Sequence, residues 1–166
     1  MTIQIDTREK PQAIKTITAS FDRKGVQWFR SKLPVGDYVN LDNARLAIDR
    51  KRRLEELTQN CGIDRSRFKA ELERARELGI KLILLIEHGP LIKSLDDVRV
   101  WKNPMLQTHP QAMTGERLSY LLCIVSKKYN VYIHFCQKCQ TGNRILELLG
   151  YEHKPYEIRI GKGDNT

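Results

Sequence analysis

From Ile80 to Ile86 the chain reads Ile-Lys-Leu-Ile-Leu-Leu-Ile, and no other stretch limits the fold so strongly. The run is too short for a membrane span or an ordinary buried helix, and it lacks the polar alternation of a half-exposed strand. It therefore reads as a strand buried on both faces, which requires helices on either side of a sheet. The expected class is α/β.

The flanking sequence supplies the other elements. Ile3 and Ile5 alternate with Gln4 and Asp6, a strand pattern that ends at Asp6 and breaks over Thr7 to Pro11. Ala13, Ile14, Ile17 and Phe21 recur at helical spacing up to Gly25, and Val26 to Phe29 reads as a second strand. Two extended runs around the turn pair Asp42-Asn43 predict a hairpin. Beyond Lys51 the pattern turns helical, and Ser66 is expected to open a helix with the stripe Phe68, Leu72, Ala75 and Leu78, closed by Gly79. His88 to Gln111 is polar and carries Pro90, Pro104 and Pro110, so it reads as a long loop with one short helix. Leu118 to Val125 predicts a helix, Val131 to Phe135 a strand, and Ile145 to Leu149 a last helix ended by Gly150. Thr114 and Thr141 are each expected to cap the helix that follows. The sum is one domain over residues 1–150, a mixed sheet flanked by helices, with 151–166 as a basic C-terminal tail or edge strand.

Twenty-nine Lys and Arg against 20 Asp and Glu give a formal charge of +9. Such an excess suits a polyanion, because basic patches release the counterions of a phosphate backbone, though solubility or attraction to a membrane surface would also use it. No apolar run spans a bilayer and Met1 to Lys10 lacks a signal-peptide pattern, so the expected location is the cytoplasm, or the nucleoid in a prokaryotic or phage setting. In that compartment the four cysteines are expected to be reduced thiols. Cys136 and Cys139 form a lone CxxC, and with His134 and His153 a zinc site can be drawn. The second ligand pair of a structural zinc site is missing, which leaves two small residues at a strand-to-helix corner.

Asp37 lies on one arm of the hairpin and Asp49-Arg50-Lys51 ends the other. Strand side chains alternate, so Asp49 and Lys51 share a face while Arg50 takes the opposite one. Whether Asp37 joins them depends on register: a strict two-residue loop at Asp42-Asn43 pairs it with Ile48, and a three-residue loop or one bulge pairs it with Asp49. Two carboxylates and an ammonium on one face could hold Mg²⁺ or Mn²⁺ beside an anionic substrate, since these ions take hard oxygen ligands and keep several waters. A plain surface ion pair between Asp49 and Lys51 is the competing reading.

Asp6-Thr7-Arg8-Glu9 after a strand, Val35-Gly36-Asp37-Tyr38 before another, and Ile48-Asp49-Arg50-Lys51 followed by Glu55 together resemble the nuclease domain of the XPF-type structure-specific DNA endonucleases. Arg67 to Leu72 on the next helix and Leu84 to Glu87 on the next strand add to the likeness, which spans about residues 3 to 150. The resemblance implies a restriction-endonuclease-like fold and a variant of the PD-(D/E)xK site. It implies metal binding by Asp37, Asp49 and the main-chain carbonyl of Arg50, with Lys51 as the catalytic lysine. Arg50 would contact the phosphate or neighbouring carboxylates, and Asp6, Glu9 and Glu55 would line the site as supporting acids. The family's Glu-Arg-Lys is Asp-Arg-Lys here and its final Asp is Glu55, changes that keep charge and shift reach by about 1.5 Å.

The tandem helix-hairpin-helix module that usually follows has no counterpart in these 166 residues, so DNA contact is expected from Arg8, Arg52, Arg53, Arg67, Lys69 and Arg74, a dimer mate or another protein. Family members pair through their later helices and strand, here within residues 116–149. The expected function is metal-dependent cleavage of branched or junction DNA (flap, fork or Holliday junction) in repair or recombination. The alternatives are a catalytically inactive DNA-binding partner subunit on the same fold and a small zinc-containing adaptor.

Overall fold

This computed structural model describes residues 1–151. The tail expected over 151–166 lies, apart from Tyr151, outside the described residues. The elements run β1 (Thr2–Ile5), α1 (Pro11–Arg23), β2 (Gln27–Arg30), β3 (Tyr38–Asn40), β4 (Asn43–Lys51), α2 (Leu54–Cys61), α3 (Arg65–Glu77), β5 (Lys81–Glu87), α4 (Leu95–Val100), α5 (Gly115–Tyr129), β6 (Tyr132–Cys136) and α6 (Thr141–Leu148), with 3₁₀ turns at Pro104–Gln107 and Lys138–Gln140.

The six strands form one sheet in the order β2-β1-β3-β4-β5-β6. β3 runs antiparallel to both its neighbours, whereas β4, β5 and β6 are parallel to one another. Leu82, Leu84 and Ile86 of β5 enter one core with Phe68, Leu72, Leu118 and Leu122, beneath α2 to α5. Ile83 and Leu85 enter the other with Ile14, Ile17, Phe21, Ile145 and Leu146, beneath α1 and α6. The α2-to-α5 side is called the front below, and the α1/α6 side the back. Burying each of these β5 side chains contributes about 1.5–3 kcal/mol, which makes this strand the keel of the domain.

Four local expectations need correction. The hairpin turns at Leu41-Asp42, because Asn40 pairs with Asn43; the next pair is Val39 with Ala47, so Ala44, Arg45 and Leu46 bulge away from β3. Ser66 does not open α3, which starts at Arg65 after Asp64. Leu78 is 52% exposed, since the helix has ended before it can turn inward. Thr114 caps α5 by accepting from the Arg117 amide at 3.2 Å, but Thr141 is already inside α6, which a preceding 3₁₀ turn starts early. Its hydroxyl is committed elsewhere, as described below.

Candidate active site

The bulge decides the site. Tyr38 pairs with Ile48 and Val39 with Ala47, and continuing this register puts Asp37 opposite Asp49. Opposed residues of an antiparallel pair point to the same face, here the front that Val39 and Ala47 also share. Gly36 makes the approach possible: its φ is +71°, and an added Cβ would lie 2.9 Å from the Ile48 carbonyl oxygen. That carbonyl accepts the Asp37 amide at 2.7 Å. The Asp37 carboxylate then accepts the Arg50 amide at 2.8 Å.

Lys51 Nζ stands 2.9 Å from Asp49 Oδ2 and 5.5 Å from the centre of the Phe68 ring. Burial, reinforced by the charges of Asp49 and Glu9, holds the Asp37 carboxyl well above the usual carboxylate range. For Lys51 burial alone would lower the pKa, but the Asp49 charge, with Glu56 and Asp37, outweighs it and raises it. Lys51 is therefore a firmly charged ammonium at neutral pH.

Reading the sequence missed Glu71. It projects from α3 to the same face, its Oε1 accepts the Gly36 amide at 3.4 Å, and burial and the charge of Asp49 raise its pKa. The signal was its spacing: Glu71 falls between Phe68, Leu72 and Ala75, the residues that turn α3 toward the sheet.

Other expected members lie elsewhere. Asp6 is fully buried, accepts from the Arg8 amide and guanidinium at 2.7 Å and from the Leu33 amide at 2.6 Å, and so pins two loops. These bonds overcome the desolvation of burial and lower its pKa. Arg50 points to the back, where it pairs with Glu9 and with Glu87 at 3.0 Å; of the two roles expected for it, its side chain takes the contact to carboxylates. Glu55 lines a cleft of about 480 Å³ with Arg52, Arg53, Glu87, His88 and Lys138, at the carboxyl ends of the parallel strands. Glu56, not Glu55, is the α2 carboxylate whose charge acts on Lys51. Arg8, Arg52, Arg53, Arg67, Lys69 and Arg74 are all exposed, Arg8 against Asp6 and Lys69 beside Glu73 at 3.6 Å.

Among the described residues no three His, Cys, Asp or Glu side chains gather closely enough to hold a metal by themselves. Of the residues from which a zinc site could be drawn, Cys136 is buried against Thr141, Cys139 is exposed, and His153 lies outside the described residues. A magnesium-type ion, however, needs only one or two carboxylates and keeps its waters. The front face fits that demand, because the buried Asp49 carboxylate lies opposite Asp37 and its Oδ2 meets only the Lys51 ammonium, at 2.9 Å.

A six-stranded mixed sheet with helices on both faces is the architecture that the XPF nuclease fold also has. Residues 5–149 match the ERCC4 domain, and the chain belongs to that family. The fold superposes on XPF from Aeropyrum pernix with a TM-score of 0.62 at 16% identity, over 90% of this chain and 63% of that one. On XPF from Aeropyrum pernix in complex with DNA the score is 0.61 at 18% identity, over 89% and 62%. The chain thus spans less than two thirds of the structures it resembles. No curated protein matches it in sequence. Nucleases of the family are in general dependent on a divalent metal.

Proposed function

We propose that this domain, residues 1–150, is a metal-dependent endodeoxyribonuclease that hydrolyses phosphodiester bonds in branched DNA such as flaps, forks or Holliday junctions, in repair or recombination. The observation that carries the reading is the register that sets Asp37 opposite Asp49 with Lys51 on the same face. Asp37, Asp49 and the Arg50 main-chain carbonyl would hold Mg²⁺ or Mn²⁺. Such an ion, when bound, neutralises charge at the phosphodiester and acidifies a water. Lys51 would orient the attacking water or donate to the developing anion. Arg67, Lys69 and Arg74 on the outer side of α3, and Arg52 and Arg53 beside the cleft, give a phosphate backbone a basic track past the acids.

Two copies would pair through residues 116–149. Among the described residues β6 is an edge strand, Tyr120 and Ile124 of α5 and Tyr132 of β6 are exposed, and Leu118 and Leu122 belong to the core. Symmetric pairing would set two basic tracks side by side. Among the described residues no helix is long and apolar enough to cross a membrane, and work on DNA would place the protein in the cytoplasm, at the nucleoid in a prokaryotic or phage setting.

The test is cleavage of flap, fork, four-way-junction and linear duplex DNA with Mg²⁺, Mn²⁺ or chelator, using the wild type and Asp37→Ala, Asp49→Ala and Lys51→Ala. Metal-dependent cutting of the branched substrates, lost in all three variants while DNA binding stays within a few-fold, is expected. Binding without cutting by the wild type would instead make this chain the inactive partner subunit.

A further inference from the structure

Behind β4 lies a polar cluster that the proposed reaction does not touch. The Arg50 guanidinium donates through Nη1 to Glu87 Oε1 at 3.0 Å and pairs through Nη2 with Glu9 Oε2. Glu87 Oε1 also accepts from the Thr141 hydroxyl at 2.9 Å, and Glu9 Oε2 from the Tyr38 hydroxyl at 3.4 Å. The exposures of Arg50, Glu87, Glu9 and Thr141 are 4, 4, 7 and 0%. Five segments meet here: the loop after β1, β3, β4, the end of β5 and the start of α6.

Charged groups buried in this way rarely add stability over apolar side chains of the same shape, so stability alone does not account for the cluster. Its position offers another account. Arg50 sits between Asp49 and Lys51, and on a strand the direction of one side chain fixes those of its neighbours on the other face. The Arg50 amide is in addition the donor held by Asp37. Two carboxylates surround one guanidinium, which leaves one surplus negative charge behind the acids. Only the thickness of β4 separates that charge from the acids in front, so in a low-dielectric interior it acts through the sheet.

We propose that Glu87, Thr141 and Glu9 are positioning residues for the front-face site: by clamping Arg50 they aim Asp49 and Lys51, and their surplus negative charge strengthens divalent-cation binding on the opposite face. The proposal rests on the nuclease reading above. The two mechanisms separate by substitution. Glu87→Gln removes a charge and keeps the shape, whereas Thr141→Val removes one hydroxyl donor and no charge.

The experiment uses the full chain as wild type, Glu87→Gln, Thr141→Val and Thr141→Ser. Mn²⁺ is titrated calorimetrically without DNA, and steady-state cleavage of a branched substrate gives kcat and KM. Glu87→Gln is expected to weaken Mn²⁺ binding about tenfold, as loss of a nearby charge in a low-dielectric setting would, while Thr141→Val stays within about twofold. Both lower kcat about tenfold with KM for DNA unchanged, and Thr141→Ser restores it. Variants with lower thermal midpoints but wild-type kcat and Mn²⁺ affinity would overturn the proposal, because that is what a purely structural cluster produces. If Glu87→Gln does not fold, the kcat-against-KM split of Thr141→Val and its rescue by serine decide the positioning claim. A wild type that cuts no DNA would refute the nuclease reading instead, and equal Mn²⁺ affinity in wild type and Glu87→Gln would still refute the charge claim.

Discussion

Replacing Gly36 by alanine tests the hairpin and the site in one step. With φ at +71° an L-residue there costs about 1–2 kcal/mol from backbone strain. The new Cβ would also fall 2.9 Å from the Ile48 carbonyl oxygen and 3.3 Å from the Ala47 Cβ, both parts of a packed strand that has little room to give. Overpacking of this kind adds about 1–2 kcal/mol, so the expected loss is about 3 kcal/mol, or about 6–12 °C in a domain of this size. Gly79 is the control: its φ is +64° but nothing lies within 4 Å of its added Cβ, and Gly79→Ala is expected to lose only about 1 kcal/mol. The Ile48 carbonyl also holds the Asp37 amide, so relief of the clash moves Asp37 away from Asp49. Cleavage by the folded protein should fall about 30-fold or more, since displacements approaching 1 Å at a reacting centre cost about two orders of magnitude. Thermal melts of both variants and a cleavage assay at a temperature where both are folded check this. Equal destabilisation of the two would refute the packing argument, and wild-type cutting by Gly36→Ala would refute the assignment of the site to the Asp37–Asp49 pair.

The metal-free protein should respond to pH through Asp37. Its folded-state pKa is raised, so its contribution to stability is present below the ordinary carboxylate value of 3.8 and is lost as pH rises through the raised one. In chelator, Asp37→Asn should therefore gain in melting temperature over the wild type as pH rises from about 4 to 8; a difference of the opposite sign would contradict the environment described. DNA affinity should fall steeply with salt, and Arg67→Ala or Arg74→Ala should each flatten that slope by about one ion regardless of sequence, which anisotropy titrations at several salt concentrations measure. Light scattering at micromolar concentration should give about twice the monomer mass of 19.4 kDa, and a fully active monomer would exclude pairing through residues 116–149.

Much of this was legible from residue order because it depends on local pattern. The β5 run announced a strand covered on both faces, and the alternation in Asp49-Arg50-Lys51 correctly sent Arg50 away from its neighbours. The hairpin register was legible only as a condition: the acids could meet if extra residues entered one arm. The structure inserts Ala44, Arg45 and Leu46, a choice governed by packing of β4 on β5, where Leu46 already pairs with Lys81. Thr141 had the spacing of a helix cap, yet its hydroxyl goes to a glutamate 54 positions earlier, and no local rule contains that partner. Glu71 lies within the Arg67 to Leu72 stretch, yet only the packing of α3 against the sheet brings its carboxylate to the Gly36 amide.

The separation of Asp49 and Lys51 from Arg50 also bears on how such a chain can change over generations. Substituting Asp37, Asp49 and Lys51 would erase the proposed hydrolysis while leaving the buried Arg50 cluster and both apolar cores in place. A duplicate copy could thus lose its chemistry in a few steps and persist as a folded, DNA-holding companion to the copy that kept it. The two sides of a single strand turn the origin of silent subunits into a short mutational path.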